Sequence, residues 1–146
     1  VISRTLIAFA LAALALPGLA AEHKVKMLNQ GEDGSMVFEP GYVHAQPGDT
    51  ITFVPVDPAH NTHSRLSPKG GKSWKGKINE KVSVTLNTEG VYVYQCDPHL
   101  SLGMVGVIQV GEATNLQKAK DKAGSMKEGM AMNKDRLDQY LDQVKQ

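Results

Sequence analysis

The feature that most constrains this chain is a series of short β-type segments, separated by turn residues, that fills most of its length. Between residues 24 and 110 there are seven segments rich in β-branched and aromatic residues. They are 24–28, 37–38, 42–45, 50–54, 81–86, 91–96 and 105–110. Turn pairs such as Pro40-Gly41 and Pro47-Gly48 lie between them. Short strands at this spacing predict a mainly β fold, either an antiparallel sandwich or a small barrel.

The residue pattern changes after Gly111. Residues 114–123 and 134–145 lose β-branched residues and gain Leu, Ala, Lys and Gln, which predicts two C-terminal helices. Asn133 is expected to cap the second helix, with Asp135 in its first turn. Four apolar residues recur there at helical spacing and are expected to pack on the sandwich. They are Leu137, Tyr140, Leu141 and Val144.

The first twenty residues differ from the rest of the chain. Arg4 precedes an apolar run over residues 6–16, which small residues follow. This pattern predicts a secretory signal peptide over residues 1–20, cleaved after Ala20 or Ala21. The apolar run is too short for a membrane span, and no later run is longer. We therefore expect a soluble, monomeric protein exported to a bacterial periplasm, with a β-sandwich over residues 21–113 and a helical extension over 114–146.

The composition excludes several functional classes. The chain has 16 basic and 15 acidic residues, and one basic residue, Arg4, lies in the predicted signal peptide. The balanced remainder argues against a nucleic-acid-binding surface, which needs a basic excess. The single cysteine, Cys96, excludes an internal disulfide and any zinc site made of cysteines alone. Residues 21–146 are enough for one modest core.

The residues with the most distinctive chemistry follow the sixth predicted segment. Cys96, His99 and Met104 have the spacing Cys-x2-His-x4-Met. A thiolate, an imidazole and a thioether form a soft donor set suited to copper, and two His and one Cys with a weak axial Met make a blue-copper electron-transfer site. His60, in a distant loop, is the expected second imidazole, and His63 is the alternative to it. We predict one copper ion, cycling between Cu(I) and Cu(II).

The remaining histidines and a methionine cluster have simpler interpretations. His23 and His44, like His63, lack neighbours typical of a metal site, and we expect all three at the surface. A cluster of methionines near the C-terminus can in principle hold Cu(I), but a helix or linker face is the expected role. The cluster consists of Met126, Met130 and Met132.

These residues resemble those of the cupredoxins, or blue copper proteins, and most closely the pseudoazurins. Plastocyanin-like proteins share the Cys-x2-His-x4-Met spacing, so three further stretches carry the closer resemblance. They are Met27-Leu28-Asn29 with residues 34–40, residues 47–53 followed by His60-Asn61, and the helical tail. The resemblance implies a Greek-key cupredoxin sandwich with a type 1 copper site that transfers single electrons and catalyses no reaction of its own.

The resemblance also implies roles for individual residues. The expected copper ligands are His60, Cys96, His99 and Met104. Asn61 is expected to tie the two ligand loops together, and Met36 to pack beside the exposed imidazole of His99.

Two departures from the family pattern fall in the ligand loop. Asp97 stands where Thr or Ser is usual. A carboxylate close to the thiolate should stabilise Cu(II) and lower the reduction potential, unless Asn61 or backbone N–H groups neutralise it. Leu100 and Leu102 replace an expected Tyr and Met, which keeps an apolar rim but changes its shape.

An electron port and a docking surface are expected near His99. Pro98, Leu100 and Leu102 should form an apolar patch through which the imidazole edge reaches solvent. Residues 65–81 carry six basic residues, Lys75 and Lys77 among them, against one acidic residue, Glu80. By resemblance, this basic rim steers the protein onto acidic patches of a transient redox partner, such as a copper nitrite reductase of denitrification. The alternative is a solvated loop without a partner.

Three rival functions remain open at this point. A periplasmic copper chaperone or storage protein would exchange copper quickly through exposed ligands. A copper oxidase or nitrite reductase would need further copper sites, which His23, His44 and His63 do not plausibly build. In a purely structural domain, replacing Cys96 would change stability but no spectrum.

Overall fold

The computed structural model describes residues 18–146, so the predicted signal peptide lies outside the described residues apart from its last three. The described residues form eight strands and three helical elements: a 3₁₀ helix between the last two strands, and two α-helices after the last strand. The strands are β1 (Glu22–Gly31), β2 (Gly34–Glu39), β3 (Tyr42–Ala45), β4 (Asp49–Pro55), β5 (His63–Leu66), β6 (Val82–Leu86), β7 (Gly90–Gln95) and β8 (Val105–Val110). The helical elements are a 3₁₀ helix (Asp97–Leu102), α1 (Leu116–Lys127) and α2 (Arg136–Leu141).

The strands form two four-stranded sheets, which confirms the predicted mainly β fold with two C-terminal helices. One sheet has the order β2-β1-β4-β6 and the other has the order β3-β8-β7-β5. The antiparallel pairing expected from the sequence holds for four of the six strand pairs, whereas β1 pairs with β4, and β3 with β8, in parallel. Greek-key connections place strands that are distant in the chain side by side, and such neighbours are not bound to the antiparallel geometry of a hairpin.

Strand β5 was not predicted from the sequence. It contains one apolar side chain, Leu66, and therefore lacks the alternation that marks a half-buried strand. The strand forms because its backbone pairs with β7 at the edge of a sheet, with His63 opposite Gln95 and a register shift between Ser64 and Leu66. This pairing places His63 beside the end of β7, where the metal motif begins.

The two C-terminal helices cover the outer face of the second sheet. Strands β7 and β8 are therefore buried along their whole length. In β7, Tyr92 and Tyr94 face the other sheet, whereas Val91 and Val93 pack against the helices. The predicted apolar stripe packs there: Leu137, Tyr140 and Leu141 are buried, and Val144, which follows α2, is partly buried. Met126 and Met130 lie in the same apolar cluster. Within residues 18–146, no helix combines the length and the apolar character needed to cross a membrane.

The start of α2 differs from the prediction. Asp135, rather than Asn133, is the residue that precedes the helix. Asn133 adopts a left-handed backbone conformation, with φ of 53°, and its side-chain Nδ2 donates to the carbonyl of Leu102 at 2.9 Å. The Asn133 amide therefore binds the loop that follows Cys96 instead of the free N–H groups of α2, and the predicted cap is wrong.

Candidate metal centre

Three of the predicted ligands, from two separate loops, meet at one end of the sandwich. His60 lies between β4 and β5, Cys96 directly follows β7, and His99 lies in the 3₁₀ helix. The sulfur Sγ of Cys96 is 3.8 Å from Nδ1 of His60 and 3.4 Å from Nδ1 of His99. The two Nδ1 atoms are 3.1 Å apart. The structure thus brings one thiol and two imidazoles into a triangle of ligand atoms.

The dimensions of this triangle fit a bound metal ion. A point equidistant from the three atoms lies about 2 Å from each of them, close to the usual length of a metal–imidazole bond. Two imidazole nitrogens and one thiolate in a trigonal arrangement are the donor set of a type 1 copper site. His60 and Cys96 are fully buried. The residues present therefore fit copper in a centre largely closed to water.

Met104, the fourth predicted ligand, is fully buried beside the other three. Its N–H donates to the carbonyl of His99 at 3.1 Å, and its carbonyl accepts from the N–H of Cys96 at 3.0 Å. Its side chain belongs to the same buried cluster as Cys96. The chain can return so abruptly because Gly103 turns it with φ of 76°, a conformation that favours glycine. The thioether therefore lies at the same end of the sandwich as the triangle.

Asn29 fixes the orientation of the His60 ring. Its side-chain Oδ1 is 2.9 Å from Nε2 of His60, so Nε2 donates and the Nδ1 lone pair faces Cys96 and His99. Burial, together with the nearby His99, lowers the pKa of His60, which favours the neutral ring that metals bind. No role was predicted for Asn29 from the sequence. Its only indication was its place in the Met27-Leu28-Asn29 stretch.

Asn61 joins the two ligand-bearing loops, as the resemblance implied. Its side-chain Oδ1 accepts from the backbone N–H of Asp97 at 2.7 Å, and its Nδ2 donates to the carbonyl of Gly76 at 3.1 Å. Asn61 follows His60 in the chain, and Asp97 follows Cys96. The buried amide of Asn61 therefore fixes the distance between the loop of His60 and the loop of Cys96.

The carboxylate of Asp97 is bound by three side-chain donors. Asn61 Nδ2 lies 3.0 Å away, His63 Nδ1 2.9 Å and Gln95 Nε2 2.8 Å. Partial burial raises the pKa of Asp97, but the hydrogen bonds from Asn61, His63 and Gln95 outweigh it and lower the pKa to about 2. The group therefore stays ionised. Of its three donors, Asn61 was expected from the sequence, whereas His63 and Gln95 were not.

The surface positions predicted for the other histidines are correct only in part. His44 is exposed, but His63 is half-buried against Asp97, and His23 is half-buried with Nε2 2.8 Å from Asp49. Each of these two half-buried rings contacts a carboxylate that is distant in sequence, so the residues around each histidine did not indicate its partner. His63 also lies outside the triangle, so the structure favours His60 as the second imidazole.

The thiol of Cys96 is held in its neutral form while no metal is bound. Burial raises its pKa, as does the nearby Asp97, whereas the backbone N–H groups of Asn61 and His99 act in the opposite direction. A coordinating metal displaces the thiol proton. The site is thus a poor nucleophile by itself and a good ligand for a soft cation.

Apolar groups surround His99 at the surface. The His99 ring, Leu100 and Leu102 are half-buried, and Pro98 is exposed. Of the four exposed large apolar side chains in residues 18–146, Ile78 and Met132 lie next to this site. The residue after Ile78 donates its N–H to the carbonyl of His60 at 2.8 Å, and Met132 donates its own to Ser101 at 3.1 Å.

Met36 and two lysines border the same end of the molecule. Met36 is half-buried against the cluster that contains Cys96 and Met104, and its backbone is left-handed, with φ of 50°. Lys75 and Lys77 are exposed and line a hollow together with Asp97 and Pro98. Positive charge therefore lies directly beside the loop that carries His99.

Comparisons with known proteins agree with this geometry. A family model described as copper binding proteins of the plastocyanin/azurin family matches residues 25–111. Pseudoazurin from Paracoccus pantotrophus is 48% identical over 140 residues, which cover 94% of this chain and 93% of that protein. The crystal structure of native pseudoazurin from Hyphomicrobium denitrificans is 37% identical and superposes with a TM-score of 0.76 over 86% of this chain and 99% of that one. The pseudoazurin structure from Methylobacterium extorquens AM1 has a TM-score of 0.74 at 36% identity, over 85% of this chain and 99% of that one.

Proposed function

This chain belongs to the plastocyanin/azurin family of copper-binding proteins, or cupredoxins, and from that premise we propose that it is a periplasmic carrier that shuttles single electrons to a redox enzyme. It is a blue copper electron carrier rather than an enzyme, and its cofactor is copper. The observation that carries the proposal is the convergence of Cys96 Sγ with the Nδ1 atoms of His60 and His99. In this proposal residues 1–20 are the export signal, 21–113 the copper-binding sandwich and 114–146 a helical extension.

We assign four copper ligands: His60, Cys96, His99 and Met104. Bound copper supplies a one-electron couple between Cu(II) and Cu(I). The protein contributes ligands whose positions change little between the two states. Asn29 orients His60, Asn61 ties the ligand loops together, and the backbone bonds of Met104 hold it to Cys96 and His99. Rigid ligands keep the structural change on electron transfer small.

We assign the electron port to His99. Its ring is only half-buried, and it is flanked by Pro98, Leu100 and Leu102. An apolar surface of this kind suits brief contacts, in which a carrier docks and then leaves. Lys75 and Lys77 lie beside the port and provide positive charge that steers an acidic partner toward it.

The physiological partner is proposed from family resemblance. A copper nitrite reductase of denitrification is the enzyme that the resemblance to pseudoazurins suggests, and it is the partner to test first. A periplasmic copper chaperone or storage protein is the second candidate. The full burial of His60 and Cys96 weighs against it, because rapid metal exchange needs accessible ligands.

The proposed function is tested by adding one equivalent of Cu(II) to the purified protein and recording visible and EPR spectra, before and after ascorbate. We expect an intense thiolate-to-copper band with narrow copper hyperfine splitting, which ascorbate bleaches. Tight copper binding without this band would show that Cys96 is not a ligand, and the chaperone function would then take first place.

The axial ligand is tested by Met104→Gln. We expect the variant to retain copper and to have a lower reduction potential, because an amide oxygen is a harder donor than a thioether and favours Cu(II). The matched control is Met132→Gln, which alters an exposed thioether at the same end of the molecule and should leave the potential unchanged. An unchanged spectrum and potential in Met104→Gln would contradict the assignment.

The docking charge is tested by exchanging both Lys75 and Lys77 for Glu. We expect reduction of an acidic partner protein to slow at least tenfold at low ionic strength, because charge steering acts on the association rate. The loss should fade in high salt. The control exchanges the exposed Lys118 and Lys120 of α1 for Glu, which changes the net charge equally. A loss that is the same at every salt concentration, or the same in the control, would refute steering by Lys75 and Lys77.

A further inference from the structure

Arg136, the first residue of α2, is buried at 4% exposure. Its guanidinium donates to four backbone carbonyls. Nη1 lies 2.9 Å from the carbonyl oxygen of Met36 and 2.8 Å from that of Gly103. Nη2 lies 3.1 Å from those of Asp33 and Ser35. One side chain thus connects α2 to the β1–β2 region and to the loop that ends in Met104.

The positive charge of Arg136 is not paired with a carboxylate. A guanidinium remains charged at any pH at which the protein is folded. No ion pair within residues 18–146 includes Arg136. The carboxylate of Asp33 accepts instead from the hydroxyl of Tyr140 at 2.8 Å. Burial of an unpaired charge is costly, so its retention against four neutral carbonyls calls for a reason.

The carbonyls that Arg136 binds adjoin the metal centre. Gly103 immediately precedes Met104 in the chain. Met36 holds a left-handed backbone, which is strained for a residue with a side chain, and packs against the cluster of Cys96 and Met104. Arg136 therefore holds the backbone at Met36 and at the residue that precedes Met104.

Arg136 is also part of a wider clamp on the ligand loop. The carbonyl of Ser101 accepts from the N–H groups of Ala131 and Met132, at 2.8 and 3.1 Å. The carbonyl of Leu102 accepts from the side chain of Asn133, and the carbonyl of Gly103 accepts from Arg136. Three consecutive carbonyls are thus bound by residues 131–136, so the guanidinium has a fixed place relative to the ligands.

We propose that the buried charge of Arg136, which its four hydrogen bonds fix beside the ligand loop, raises the reduction potential of the metal centre. The inference rests on the proposed function. Oxidation of the centre removes one electron and adds one positive charge to it. A fixed cation nearby disfavours that added charge, and screening is weak in a buried environment. Nearby charge and hydrogen bonds are established determinants of metal-site potentials.

The test compares Arg136→Gln, which removes the charge, with Arg136→Lys, which keeps the charge but loses the planar fork of donors. The control is Lys134→Gln, which removes an exposed charge two residues away. Each variant is loaded with copper and poised at the potential at which the native protein is half reduced, and the blue band reports the ratio of Cu(I) to Cu(II). Urea unfolding of the copper-free variants is measured in parallel.

We expect at least a threefold lower Cu(I) to Cu(II) ratio in Arg136→Gln, which corresponds to about 28 mV at about 59 mV per tenfold change for one electron. The Cu(I) to Cu(II) ratio of Arg136→Lys should stay within twofold of the native ratio. The copper-free forms of both Arg136 variants should nevertheless unfold at a lower urea concentration than the native protein. A native-like ratio in Arg136→Gln, or an equal fall in Lys134→Gln, would overturn the proposal. If Arg136→Gln does not fold, Arg136→Met removes the charge in its place: a threefold lower ratio in that variant supports the proposal, and a native-like ratio overturns it. Absence of a blue band in the native protein would refute the proposed function itself, before any variant is made.

Discussion

Replacing Cys96 with serine will abolish the intense visible absorption of the copper-loaded protein. The band requires a thiolate bound to copper, and this chain contains no other cysteine to supply one. Serine is nearly the same size, so the loss should not come from a cavity. We expect at least a hundredfold fall in absorbance at the band maximum, with at most weak copper binding left at the two imidazoles. The measurement is the visible spectrum after one equivalent of Cu(II).

Copper-free stability provides the control for this variant. The Sγ of Cys96 is buried and takes no part in a disulfide, so Cys96→Ser should change the free energy of unfolding by only about 1–2 kcal/mol, through burial of a more polar group. A variant whose free energy of unfolding changes by no more than this and that still shows the blue band would exclude Cys96 as the ligand. A variant that changes stability while the native protein itself shows no band would support the purely structural function.

Replacing Asn61 with alanine will destabilise the copper-free protein by about 2–4 kcal/mol. The change removes the acceptor of the Asp97 N–H and the donor to the carbonyl of Gly76, in a site where Asn61 is 3% exposed. It also removes one of three donors to the Asp97 carboxylate, so a charged group loses part of its solvation. The midpoint of urea unfolding gives the effect directly.

The matched control for Asn61→Ala is Asn87→Ala, at an exposed asparagine of the same fold. A surface change of this kind should stay within about 0.5 kcal/mol. Equal losses in the two variants would mean that the tie between the ligand loops contributes nothing to stability. A loss that appears only after copper is added would place the role of Asn61 in metal retention instead.

Three side-chain donors surround the carboxylate of Asp97 in the folded protein. A carboxylate next to the thiolate was expected to lower the reduction potential unless neighbouring donors neutralised it. The structure supplies three side-chain donors, of which Asn61 was foreseen, whereas His63 and Gln95 were not. Because these donors hold the carboxylate, the effect of Asp97 on the potential should be smaller than its proximity in sequence suggests.

Most of the sandwich was predictable because its strands carry their own pattern. The segments at β4, β7 and β8 are rich in β-branched and aromatic residues whatever they pair with, and the helical tail differs from them in composition. Strand β5 was not predictable, since its pairing with β7 comes from backbone hydrogen bonds rather than from apolar side chains. The parallel pairings were missed for a similar reason, because direction depends on where distant segments meet.

The spacing of Cys96, His99 and Met104 determined by itself that a soft metal site lies at the end of one strand, because ligands so close in sequence must be close in space. Only the tertiary structure decided what surrounds that site. Asn29, His63 and Arg136 come from elements remote from the motif, and each acts through a hydrogen bond that no local pattern encodes. Short-range chemistry can be inferred from spacing along the chain. The orientation of His60, the environment of Asp97 and the charge behind Met104 depend instead on contacts between segments up to about a hundred residues apart.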